Sequence, residues 1–162
     1  MQESMEMSGR VTIELSDASG RVIERQQRRN LIVTSGRTLV AQLFGGISGG
    51  TPPGKVSHMA VGTDATPPAD EQTALLAERA PRKPIEVTYS EFDDLSSGVK
   101  VRRVRASLKA VFDFGEANGP APLREAAVFT APAAGVMYNR VVFDAVTKTS
   151  AFQLTLLWDI SF

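Results

Sequence analysis

The chain contains no cysteine and one histidine, His58, in 162 residues. Without thiols there is no disulfide framework, no thiolate metal site and no cysteine nucleophile. One imidazole cannot supply a histidine pair to a metal. A Ser-His-Asp relay would have to run through His58, and no nucleophile-elbow motif stands near it. Charge of one sign is lacking as well: 18 Lys and Arg face 18 Asp and Glu, a formal net charge of zero. Nucleic-acid binders usually carry a basic excess, so none is expected as a partner. The same balance removes long-range repulsion between copies of the chain. One Trp and two Tyr leave few aromatic platforms for stacking on a sugar ring. No apolar run approaches the roughly 20 residues of a membrane-spanning helix. Residues 1–9, with Met1, Met5 and Met7 among polar neighbours, have no apolar core of a secretory signal. We therefore expect no membrane, no small-molecule substrate, no cofactor, no metal and no catalytic residue.

Present instead is strict alternation at the C-terminal end. Phe152, Leu154, Leu156, Trp158, Ile160 and Phe162 are separated by Gln153, Thr155, Leu157, Asp159 and Ser161. Period two marks a strand with one buried face. At about 1.5–3 kcal/mol per side chain, this row could contribute roughly 9–18 kcal/mol, an upper bound because unfolded chains already hide apolar surface. These six residues are the expected structural core.

Other strands must cover them. Val11, Ile13 and Leu15 alternate, a turn cluster follows at Ser16–Gly20, and Arg21–Gln27 returns as a polar edge-like strand, so a hairpin is expected. Leu39, Val40, Leu43 and Phe44 share one face of a helix from about Gly36 to Phe44. Thr34 or Ser35 is placed to cap it, and Gly45-Gly46 to end it. The loop Ile47–Lys55 holds a decoy, since Gly49 to Lys55 matches GxxxxGK. A phosphate loop needs free N–H donors and a Ser/Thr after the lysine; here Pro52 and Pro53 remove donors and Val56 follows. Val56–Val61 reads as a strand, and Gly62–Asp70, with Pro67 and Pro68, as a second loop. Asp70 is then placed to cap a short helical segment through Ala74, Leu75 and Leu76. Ile85–Tyr89 alternates again. Val99–Phe114 is the longest strand candidate, and its apolar parity flips at Arg102-Arg103, which predicts a β-bulge there. Leu123–Thr130, Val136–Val146 and the terminal strand are separated by short turns and are expected to form an antiparallel meander.

The expected fold is mainly β: one antiparallel β-sandwich-like domain over residues 10–162 with one or two short helices, preceded by a flexible arm at 1–9. Arg102, Arg103 and Arg105 form a basic patch, read either as a solvated strand face or as a partner contact. Gly49, Pro52, Pro53, Pro67 and Pro68 mark loops suited to partner contacts. Asp93-Asp94 reads as a solvated turn, since no glycine-spaced run of oxygen ligands accompanies it. Glu125 and Arg140 stand among apolar neighbours, and buried charges are rare unless paired. They are the expected structural ion pair.

Several segments in order carry a resemblance. They are 30–37 (Asn-Leu-Ile-Val-Thr-Ser-Gly-Arg), Leu39–Gly46, 58–62 (His-Met-Ala-Val-Gly) and Thr73–Glu78. Then come 124–129 (Arg-Glu-Ala-Ala-Val-Phe), Tyr138–Arg140 with Phe143 and Lys148, and Leu154–Ile160. Over about residues 30–162 this succession resembles small structural proteins of tailed-bacteriophage tails and related contractile injection particles. Ala127 departs from it, standing where a glycine is expected. The resemblance implies a non-enzymatic structural subunit, a baseplate component or fibre-attachment adaptor. Its expected partners are copies of itself and other virion tail proteins. It would reside in the virion tail after assembly in the bacterial host cytoplasm. The alternative is a carbohydrate- or receptor-binding β-module at the tail tip.

Overall fold

The computed structural model describes residues 7–162. The arm expected at 1–9 therefore lies largely outside the described residues, but Ser8 and Gly9 already belong to a strand, β1 (Ser8–Asp17). β1 forms the expected hairpin with β2 (Val22–Arg29). Two five-stranded antiparallel sheets make up the molecule. In the first, β10 (Phe152–Ser161) is central, flanked by β1 and by β7 (Val101–Phe112); β2 and β6 (Glu86–Asp94) are its edges. The second runs β3 (Leu31–Ile32), β9 (Met137–Val146), β8 (Leu123–Phe129), β4 (His58–Gly62), β5 (Glu78–Pro84). The inward rows of both sheets share one core, so the architecture is β-sandwich-like.

Alternation along β10 puts Leu154, Leu156, Trp158 and Ile160 into that core. Trp158 is fully buried, and its ring N–H donates to Asn30 Oδ1 at 2.7 Å. A buried indole needs such a partner. The row is shorter than its sequence pattern. Phe152 is half-buried at the core margin, and Phe162 is 39% exposed. β10 ends at Ser161, and the β6–β7 hairpin beyond it overhangs the second sheet: Tyr89 and Val104 share the inward face with Phe162 and are 75% and 44% exposed. This overhang also removes the expected bulge at Arg102-Arg103. The β6–β7 register runs unbroken from Glu86–Lys109 to Asp94–Val101. The parity flip needs no bulge because both faces of the overhang meet solvent. A bulge occurs instead in β8–β9, where Tyr138 is the extra residue and Asn139 Oδ1 accepts the Val128 N–H at 3.1 Å.

The expected meander holds only for β8–β9. The terminal strand crosses to the other sheet and pairs with β1 and β7. The five residues between Val146 and Phe152 are enough to span the roughly 10 Å between packed sheets. Lys148 anchors that crossing: it is buried, and its ammonium donates to the Asp113 and Thr149 carbonyls and to Asn118 Oδ1 at 2.8–3.2 Å.

The helix α1 is longer than expected, Thr34–Gly45, and has no side-chain cap. Ser35 Oγ instead donates to the Met137 carbonyl at 2.7 Å. Gly36 lets the helix approach β9, since a Cβ there would collide with the Tyr138 carbonyl. Leu39 is buried, but Phe44 at the helix end is 96% exposed, so the expected apolar face is only half used. The second helical segment is absent: residues 70–77 form turns and bends. The cause is local capture, because the N–H groups of Leu76 and Ala77 bind the Glu125 carboxylate and are unavailable to a helix. No helix among the described residues is long and apolar enough to cross a membrane.

Candidate functional site

The outer faces of the two sheets differ, and the candidate sites follow from that. The outer face of the second sheet is covered. Val33, Ala60, Leu75, Ala127, Phe129 and Met137 form a small second core there, beneath α1 and the loop 63–77. Residues Glu125 to Phe129 are thus buried on both faces of β8. This explains why the run lacks alternation.

Glu125 and Arg140 sit in this layer, both fully buried. Arg140 Nη2 and Nε lie 2.8 and 2.9 Å from Glu125 Oε2. Nη1 donates to the Thr66 carbonyl at 2.7 Å and to Gln72 Oε1 at 3.2 Å, and Nη2 also reaches Asp64 Oδ1 at 3.5 Å. Each of the three guanidinium nitrogens has a hydrogen-bond partner. Glu125 accepts in addition from Leu76 N at 3.2 Å and Ala77 N at 2.8 Å. A buried ion pair is tolerable only when its remaining hydrogen-bonding capacity is met in this way. The pair fastens the loop 63–77 to the sheet. Gly62 makes room for it, since a Cβ there would strike Glu125 Oε1 and the Ala77 carbonyl. The charges in β8 and β9 are visible in the sequence; Thr66, Gln72 and Asp64 are not, because ordinary polar loop residues carry no pattern.

The outer face of the first sheet is bare and polar. A cleft of about 560 Å³ crosses it, lined by Arg10, Arg29, Arg103, Arg105, Phe92 and Asp94 among others. The expected basic patch is divided by strand alternation. Arg103 and Arg105 face the cleft, while Arg102 points to the other face and binds Glu91 and Asp93 at 2.9 and 3.0 Å. Arg103 meets Asp94 at 2.6 Å. Arg105 lies over the Phe92 ring at 4.4 Å, and its Nε has no partner among the described residues. The Asp94 carboxyl is held down to about 2 by hydrogen bonds from Ser96 and by the Arg103 guanidinium. In the core, burial pushes the Tyr138 hydroxyl up to about 12. Burial also lowers Lys148, an effect that Glu116 and Asp113 partly offset.

Of the two expected contact loops, the one with Pro67 and Pro68 belongs to the cover of the second sheet, where Arg140 holds Thr66. Gly49, Pro52 and Pro67 are exposed, and Pro53 and Pro68 are half-buried. His58 Nδ1 lies 2.8 Å from the hydroxyl of its neighbour Ser57. Among the described residues, no group of three or more His, Cys, Asp or Glu could hold a metal ion. No protein-family model, curated protein or solved structure matches the chain.

Proposed function

We propose that this chain is a non-enzymatic structural subunit of a phage tail or tail-like particle, a baseplate component or fibre-attachment adaptor. It acts by assembling with copies of itself and with other tail proteins, and it resides in the virion tail. The supporting observation is how the buried charges are used. Glu125, Arg140 and Lys148 are all bound to backbone and loop groups. They fix the shape of loops and leave no charged atom pointed at a substrate. Proline-bearing loops on such a support lose little freedom when a partner docks. The ordered segments that resemble tail proteins add to this reading. Deleting the gene from the particle that encodes it is expected to leave tails lacking a discrete piece by electron microscopy. Complete, infectious particles without the protein would refute the structural role.

One observation favours a carbohydrate- or receptor-binding module at the tail tip as the second reading. The Phe92 ring and Arg105 form a flat, polar-rimmed surface inside the open cleft. Glycan-array binding by the isolated protein that is lost in Phe92→Ala would favour this reading over the first.

A further inference from the structure

Sheet edges expose unpaired N–H and C=O groups, and proteins usually blunt them. The second sheet is blunted structurally. β3 is two residues long. Pro81 and Pro84 break β5, with Ala80 at a φ of 63° between its neighbours. Where β9 runs past β3, the Gln26 carboxamide caps both the N–H and the C=O of Asp144 at 3.0 Å. The first sheet has no such device at its edges beyond a bulge near the start of β2. β2 and β6 are eight and nine residues long and contain no proline.

What guards these two edges is charge, and the charge is opposite. β2 carries Arg25, Arg28 and Arg29 against one acid, Glu24. β6 carries Glu86, Glu91, Asp93 and Asp94 and no basic residue. Two β2 edges repel, and two β6 edges repel. Only β2 against β6 is attractive, which is specificity by exclusion. The geometry agrees with the charge. Every pairing in the order β2-β1-β10-β7-β6 is antiparallel, so β2 and β6 run in the same direction. Head-to-tail repetition of one chain, as in a ring or stack, sets β6 beside the next β2 in parallel. A parallel alignment brings together the basic end of one strand and the acidic end of the other. An antiparallel alignment separates them. With residues 24–29 alongside 89–94, Arg28 meets Asp93 and Arg29 meets Asp94. In that register Gln26, opposite Ile13, and Asp93, opposite Arg102, remain on the inward-facing side, so both faces of the sheet continue without a flip.

We infer that β6 of one copy pairs in parallel with β2 of the next, extending the five-stranded sheet from copy to copy. This rests on the assembly reading proposed above and supplies its interface. Existing pairs do not oppose it. Asp93 binds Lys100 and Arg102 through separate oxygens, Asp94 binds Arg103 through one oxygen and the Ser96 N–H through the other, and each carboxylate has lone pairs for a further donor. Arg28 is held by Asp144, whose side chain is 81% exposed, and by the carbonyl of its neighbour Gln27 at 2.8 Å, and Arg29 has no ion pair among the described residues.

Mass photometry and light scattering of the purified full chain at low salt test this, with far-UV circular dichroism to establish folding. The wild type is expected to associate. Arg28→Glu/Arg29→Glu and Asp93→Arg/Asp94→Arg should each weaken association by about a hundredfold or more, because like charges then face one another. Carrying both reversals in one chain should restore it. The absence of native cysteine allows a second, covalent readout. Arg25→Cys with Ser90→Cys in one chain should give an intermolecular ladder on oxidation, because paired strands lie about 4.8 Å apart and disulfides tolerate that spacing. Within one chain the two positions are four strands apart. Association that survives the reversals, with no ladder, overturns this interface but not the structural role. A monomer with no ladder also overturns it, and the gene-deletion experiment judges the structural role separately.

Discussion

The two sheets have the same number of strands and the same pairing pattern, yet their outer faces follow opposite rules. On the second, charge is buried and every guanidinium nitrogen of Arg140 and both carboxylate oxygens of Glu125 have a partner. On the first, arginines and a carboxylate line an open cleft and stay partly exposed. A fully satisfied polar network in a dry layer is strong and fixes one arrangement of its loop. Exposed pairs are weak and exchangeable. The first face is therefore free to take a partner, while the second holds the molecule in shape.

The comparison is broken most severely at Arg140. Arg140→Ala leaves the Glu125 carboxylate buried without its cation and frees Thr66 and Gln72. Breaking a buried pair this way costs about 3–5 kcal/mol, a large share of a typical stability of about 5–15 kcal/mol. Urea unfolding should show the loss as a lower midpoint. Arg29→Ala on the bare face should leave the midpoint unchanged. Equal effects from the two variants would mean that the faces do not differ as argued.

Trp158→Ala asks whether the shared core is as decisive as the covered face. Removing a fully buried aromatic costs about 3–5 kcal/mol, and here it also strands the Asn30 side chain that accepts the indole N–H. A melting temperature unchanged from wild type would contradict its place at the centre of the sandwich. Gly62→Ala is a milder and more local probe. The added methyl meets Glu125 Oε1 and the Ala77 carbonyl, and overpacking of this kind costs about 1–3 kcal/mol. The expected signature is faster amide exchange at Leu76 and Ala77, whose N–H groups bind that carboxylate. A global loss with no local change would point to a different cause.

How far the sequence reveals this contrast depends on which residues carry it. The β10 row is legible because period two survives wherever one face is buried. Glu125 and Arg140 are legible as misplaced charges in apolar strands. Phe162 misleads because periodicity reports which face a residue takes, not whether a second sheet reaches that far. The Arg102-Arg103 parity flip misleads for the same reason. The crossing of β10 to the other sheet is hidden, since a five-residue connection is compatible with a hairpin or a crossover. The covered outer face is hidden too. Its loop is irregular, and Leu75 is a single buried side chain in a stretch with no period.

The smallest expected effect belongs to Asp94, on the rim of the bare face. Hydrogen bonds from Ser96 and the nearby Arg103 hold its carboxyl at about 2, below the 3.8 of an ordinary aspartate. A depressed carboxylate favours the folded state once it is ionised in both states, that is, above about pH 4. The contribution fades as pH falls from there and is gone below the folded value of about 2. Asp94 is half-buried at the cleft rim and still reached by solvent, so the effect should be modest and should shrink further in salt. Comparing melting temperatures of the wild type and Asp94→Asn between pH 6 and pH 2 isolates it. The gap between them should be largest near neutral pH and close as the solution is acidified. Direct NMR titration of the side chain should give a midpoint well below 3.8. An ordinary midpoint, or a gap that widens in acid, would show that the Asp94–Arg103 pair does not hold this corner of the cleft in solution.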